Sequence, residues 1–208
     1  MTNLNLYCIL DNMKTDKIIL TDADGVCLDW EWAFGIWMSQ HGFTMVDDGP
    51  LMYNVAKRYG LPKEQGRVLV KRFNESAAIG FLPSLRDAQY YIKRLHEEWG
   101  YKFHMISSLS TDENAQQLRK MNTRKLFGED TFSHFIFLDT GADKDEVLKE
   151  YEGSGLLWVE DKYHNAIVGH ELGLRSIVME HGHNMDFDHQ MIPRVKNWKQ
   201  IYEMLANS

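Results

Sequence analysis

The chain is poor in cysteine and proline, has no long apolar run, and lacks clustered positive charge. Its 208 residues contain two cysteines, Cys8 and Cys27. That is too few, and the pair too widely spaced, for a CxxC metal pair or a disulfide framework. A reducing compartment is the simple reading, with the cytoplasm as its default. Four prolines and fifteen scattered glycines leave no long flexible linker. No apolar stretch approaches the roughly 20 residues needed to span a bilayer, which argues against a membrane partner. Residues 1–16 lack the basic and apolar regions of a signal peptide and read as a polar extension. Lys and Arg total 23 against 30 Asp and Glu, a formal net charge of −7. A broad nucleic-acid surface needs clustered cations to displace counterions, so this balance disfavours one. It leaves room for a small phosphorylated ligand, which a metal ion and a few local cations can hold inside an acidic protein.

Apolar residues are abundant, at 44%, and the length suits one main domain with an insertion. Short apolar runs alternate with helical patterns. Strands are expected at Lys17–Thr21, Lys102–Ile106, His134–Leu138, Leu156–Val159 and Arg175–Met179. Helices are expected at Ser84–Trp99, from Ser110 (with Glu113 in a capping box) to Phe127, at Asp143–Tyr151, Tyr163–Leu172 and Trp198–Ala206. Such alternation predicts an α/β fold, a Rossmann-like parallel sheet with helices on both faces. Residues 30–81 break the rhythm. They carry helical patterns and no convincing strand, and read as a small helical cap inserted into a core of residues 17–29 and 82–208.

Candidate chemistry gathers where strands end. Thr21-Asp22-Ala23-Asp24-Gly25 follows the first strand. Two carboxylates one residue apart repel unless a cation or a shared proton intervenes, and a hard, oxygen-seeking cation solves the problem. Ser107 ends the second strand, although a serine there also serves as an ordinary turn. Lys144 stands at the start of a helix, where most lysines are merely solvated. Glu160 and Asp161 follow an apolar strand, where adjacent acids are costly unless something positive is bound.

In order and spacing these four elements resemble the motifs of the haloacid-dehalogenase-like (HAD) hydrolase superfamily over most of the chain. The resemblance implies a magnesium-dependent phosphohydrolase. Asp22 would be the nucleophile that forms an aspartyl-phosphate. Asp24 would be the general acid and base. Ser107 and Lys144 would hold the phosphoryl oxygens. Magnesium would take the Asp22 and Asp161 carboxylates and the Asp24 backbone carbonyl, with Glu160 acting through water. Val26 stands where many members carry threonine.

Leu28-Asp29-Trp30-Glu31, Gly141-Ala142-Asp143-Lys144 and Arg194-Val195-Lys196-Asn197-Trp198 look loosely similar to the 5′(3′)-deoxyribonucleotidase branch. That similarity points to a small phosphorylated metabolite as partner, a nucleotide in particular, with Trp30, Phe34 and Trp37 as pocket residues. A sugar-phosphate phosphatase, a phosphomutase, a nucleic-acid end phosphatase and a non-catalytic phosphate-binding module remain alternatives. The histidine-rich stretch from His181 to His189 reads as an exposed loop with no catalytic role.

Overall fold

The computed structural model describes residues 17–207. The expected extension over 1–16, with Cys8, lies outside the described residues. Six parallel strands form one sheet: β1 (Ile18–Thr21), β2 (Lys102–Ser108), β3 (Phe132–Leu138), β4 (Leu157–Glu160), β5 (Arg175–Met179) and β6 (Arg194–Val195). Their spatial order is β3-β2-β1-β4-β5-β6. The chain therefore runs outward in one direction from β1 through β2 and β3, then returns to the other side at β4. The crevice between β1 and β4 is the topological switch point, where ligands of open α/β sheets bind. Asp22 ends β1, and Glu160 and Asp161 end β4, so the carboxylates converge because of strand order.

Strand alternation divides the core into two layers. Ile19, Phe103, Met105, Val159 and Ile177 face one side, in a cluster with α4 (Ala88–Trp99), α5 (Glu113–Phe127) and α8 (Trp198–Ala206). Leu20, Ile106 and Trp158 face the other side, against α6 (Asp145–Leu148) and α7 (Tyr163–Glu171). Trp158 and Trp198 are fully buried. Each places its indole N–H on a backbone carbonyl, of Asn165 and Val26 respectively, as a buried indole requires.

Residues 30–81 are helical, with α1 (Trp30–Gln40), α2 (Val55–Arg58), α3 (Lys63–Asn74) and two short 3₁₀ turns. Asp29 caps α1 by accepting from the Trp32 amide. The insertion is not a separate globule. Phe34, Met38, Leu69 and Phe73 join the same apolar cluster as the sheet. Several boundaries differ from expectation. β2 runs two residues further, to Ser108. The cap of α5 is Asp112, which accepts from the Ala115 amide, whereas Ser110 donates to Glu75. Among the described residues, no helix is long and apolar enough to cross a membrane.

Candidate active site

Asp22 leaves β1 with its amide still bonded to Val159 O, in register with β4 (2.9 Å). Its Oδ1 accepts from the Ala23 amide at 2.7 Å and lies 2.9 Å from Lys144 Nζ. The same ammonium lies 2.8 Å from Glu160 Oε2 and is almost wholly buried. Glu160 is saturated. Its Oε1 accepts from the amides of Asp161 and Lys162, and its Oε2 from Lys144 and Asn165. It anchors the lysine and has little left for direct coordination.

Asp161 turns its carboxylate over Gly25. A Cβ on Gly25 would lie 2.6 Å from Asp161 Oδ2, and this glycine has φ +71°. Both the turn and the close approach therefore need a residue without a side chain. Oxygens of Asp22, Glu160 and Asp161 lie within 4.8 Å of one another.

The titration behaviour follows from this crowding. Burial pushes Asp22 up to about 8, with Glu160 and Asp24 adding to the rise and Lys144 opposing it. Asp161 is raised well above the usual carboxylate range, first by burial and then by Glu160 and Asp22. Burial also acts to raise Glu160, but the Lys144 pair and its amide donors outweigh it and the group is lowered. One buried lysine thus faces two buried acids, Asp22 and Glu160, and a partly buried third, Asp161. The donor set is hard oxygen throughout, and the uncompensated charge is negative, so a divalent cation fits.

A cavity of about 500 Å³ opens over these groups. Asp22, Asp24, Lys144, Glu160, Asp161 and Trp30 all line it. Ser107 does not. Successive residues of a strand point to opposite faces, and it is Ser108, one residue on, that reaches the cavity and donates to Ala142 O at 2.7 Å. Ser107 is buried with its hydroxyl unpartnered among the described residues. Phe34 lies in the core of the insertion, stacked on Trp30 at 4.5 Å. Trp37 borders a separate cleft with His41 and Phe43. Of the three expected aromatics only Trp30 reaches the site, its indole N–H held by Asn74 Oδ1 at 2.9 Å.

The reading of His181–His189 as an exposed loop is corrected at its first residues. His181 is buried, His183 is half-buried with its ring turned inward, and both line the cavity. His181 Nε2 meets Gly25 O at 2.6 Å. His183 Nε2 lies 3.5 Å from Asp161 Oδ2, and its ring packs edge-on against Tyr53 of the insertion. Burial lowers His183 to about 4, with His181 adding to the shift. The reason for this placement is that Asn184 ties the loop inward, donating to Asp161 O and Met179 O at 2.8 Å each.

Arg119 was also not anticipated. It is fully buried on α5 and grips Asp24 through both terminal nitrogens, at 2.6 and 3.2 Å. A signal existed, since Ala115, Arg119, Asn122 and Thr123 fall on one buried helical stripe.

No protein-family model matches the chain. An uncharacterized 32.4 kDa protein of Enterobacteria phage T4, from the Gp30–rIII intergenic region, is 28% identical over 138 residues, 64% of this chain. The chain spans about half of that protein, 48% of its length. Among solved structures, a haloacid dehalogenase-like family hydrolase from Streptococcus pneumoniae superimposes with a TM-score of 0.61 at 14% identity, covering 93% of this chain and 100% of the other. The D,D-heptose 1,7-bisphosphate phosphatase from B. bronchiseptica, complexed with magnesium and phosphate, gives 0.57 at 11% identity, covering 92% and 98%. The chain therefore has the HAD-hydrolase fold.

Proposed function

We propose that the chain is a magnesium-dependent phosphomonoester hydrolase in which Asp22 attacks phosphorus. The observation that carries this reading is the juxtaposition, at the β1–β4 switch point, of Asp22, a buried lysine at 2.9 Å and a second carboxylate, Asp161, above an accessible cavity. A bound magnesium ion, held by Asp22, Asp161 and the Asp24 backbone carbonyl, would supply charge neutralisation for the transferring phosphoryl group.

The chain's own residues supply the rest. Lys144 holds Asp22 in place and offsets the repulsion between carboxylate and phosphate. An Asp22 oxygen forms a bond to phosphorus as the ester P–O bond breaks. The leaving oxygen takes that electron pair and a proton from the Asp24 carboxyl. Water then attacks the aspartyl-phosphate and gives a proton back to Asp24. The Asp22–phosphorus bond breaks, and phosphate leaves. Ser107 and Ser108 end β2 beside the cavity; the Ser108 proton goes to Ala142 O, and the Ser107 hydroxyl, unpartnered among the described residues, is the one left to donate to a phosphoryl oxygen.

Residues 30–81 act as a cap whose Trp30, Tyr53 and Arg67 line the cavity opposite the carboxylates. An aromatic wall facing a phosphate site suits a nucleoside monophosphate, whose base can stack. A sugar phosphate is the second reading, favoured by Lys63, Arg67 and Asn54 on the same wall, which suit hydroxyls or a second anionic group.

The test is phosphate release from nucleoside monophosphates, sugar phosphates and a 3′-phosphorylated oligonucleotide. Each is measured with magnesium, with excess chelator, and with Asp22→Asn. Release that needs magnesium and falls ~10⁴-fold or more in Asp22→Asn supports the reading. Equal release by Asp22→Asn contradicts it.

A further inference from the structure

We infer that Arg119 is a positioning residue for proton transfer. It fixes the Asp24 carboxylate at the cavity wall so that one oxygen faces the leaving group. The inference rests on the phosphohydrolase reading above and concerns a residue that reading does not use.

Arg119 has no exposed surface, and Asp24 is the carboxylate it pairs with. Its Nε has no partner among the described residues. A guanidinium buried this deeply is costly unless well paired, and the bidentate fork sets the orientation of the carboxylate it holds. The grip is unequal. Nη1 donates to Oδ1 at 2.6 Å, whereas Nη2 donates to Oδ2 at 3.2 Å. Oδ1 is therefore the more tightly held, and Oδ2, which accepts the longer bond and keeps a further lone pair, is the oxygen assigned to exchange a proton.

The anchor is rigid. α5 is fastened beside the site by Asn122, which donates to Leu82 O, and by Leu118 and Met121 packed against Gly80. Asp24 itself sits on the turn after β1, where its backbone alone would leave several side-chain rotamers open. Arg119 selects one of them. It also keeps the Asp24 carboxylate outside the group formed by Asp22, Glu160 and Asp161, which Asp24 does not join.

Leaving-group chemistry separates this role from a merely structural one. A p-nitrophenolate departs without a proton, whereas an alkoxide needs one from a positioned acid. The value of kcat/KM covers steps only through formation of the aspartyl-phosphate, so the later attack of water does not blur it. Arg119→Lys keeps the buried charge but loses the fork. It is expected to lower kcat/KM for the best alkyl phosphate at least tenfold more than for p-nitrophenyl phosphate, and Asp24→Asn is expected to shift the ratio the same way. In the Asp24→Asn background, Arg119→Lys should change the ratio no further.

Equal losses on both substrates, or additive effects in the double variant, overturn the role of Arg119 while leaving Asp22-dependent turnover in place. Turnover that survives Asp22→Asn removes the phosphohydrolase reading and this inference with it. Should Arg119→Lys fail to fold, Arg119→Met combined with Asp24→Asn removes both charges together. Its ratio is then expected to match that of Asp24→Asn alone, and a further shift overturns the proposal.

Discussion

With Lys144 between them, Asp22 and Glu160 share one cation at 2.9 and 2.8 Å, while Asp161 lies 3.5 Å from the His183 ring and, among the described residues, has no lysine or arginine within 4 Å. Replacing that lysine by an uncharged side chain of similar length leaves two buried acids, Asp22 and Glu160, with no counter-charge. Lys144→Met should lower unfolding stability in chelator by about 3–5 kcal/mol, read from the urea midpoint, and abolish turnover. A variant of unchanged stability would show that the acids are already neutral without the lysine. Most of these residues were legible in the sequence because an acidic pair after an apolar strand has few structural explanations. Ser108, one position after Ser107, lies on the cavity wall, a difference of strand parity that a run of apolar letters does not resolve. Arg119 was missed because a charged residue within a polar helix looks solvated until its partner, 95 residues away in sequence, is known.

Elements position these residues through turns that tolerate little change. Gly25→Ala would add a Cβ 2.6 Å from Asp161 Oδ2 at φ +71°. Displacing that carboxylate should weaken magnesium binding at least tenfold by calorimetry. Gly42 provides the control, with φ +80° and nothing within 4 Å of an added Cβ. Gly42→Ala should cost only the strain, about 1–2 kcal/mol, and leave magnesium affinity unchanged. If both variants bind magnesium normally, the Gly25–Asp161 contact has no functional weight. At this scale the sequence was informative about strands and long helices, whose periodicity is set by burial on one face. It said little about the His181–Asn184 turn. Histidines there look solvent-facing, and the turn packs against residues 49–51 of the insertion, a contact that no local pattern encodes.

Across the whole molecule, stability, protonation and metal binding should be linked. The Asp22 carboxyl rises from an ordinary 3.8 to about 8 in the folded chain. Between those values the folded state binds more protons than the unfolded chain. The associated stability is fully present below about pH 3.8 and is lost as pH rises through about 8. His183 works in the opposite direction. With its folded value lowered from 6.5 to about 4, stability falls as pH drops through that interval. In chelator, stability should therefore fall from about pH 6.5 to about pH 8, by up to about 1.4 kcal/mol per pH unit for a single carboxyl, with the melting temperature following it and levelling off above. Saturating magnesium should remove that decline, because the cation replaces the proton, and binding should release protons into the buffer. A pH-independent melting temperature in chelator would contradict the electrostatic account.

The central claim is that Asp22 becomes covalently phosphorylated. The most direct measurement is an acid quench during turnover of the best substrate with magnesium, followed by hydroxylamine treatment and peptide mass analysis. The account predicts a hydroxamate on Asp22 that requires both substrate and magnesium, with no modification at Asp24 or Asp161. Turnover with Asp22 unmodified, or a hydroxamate on another carboxylate, would contradict it.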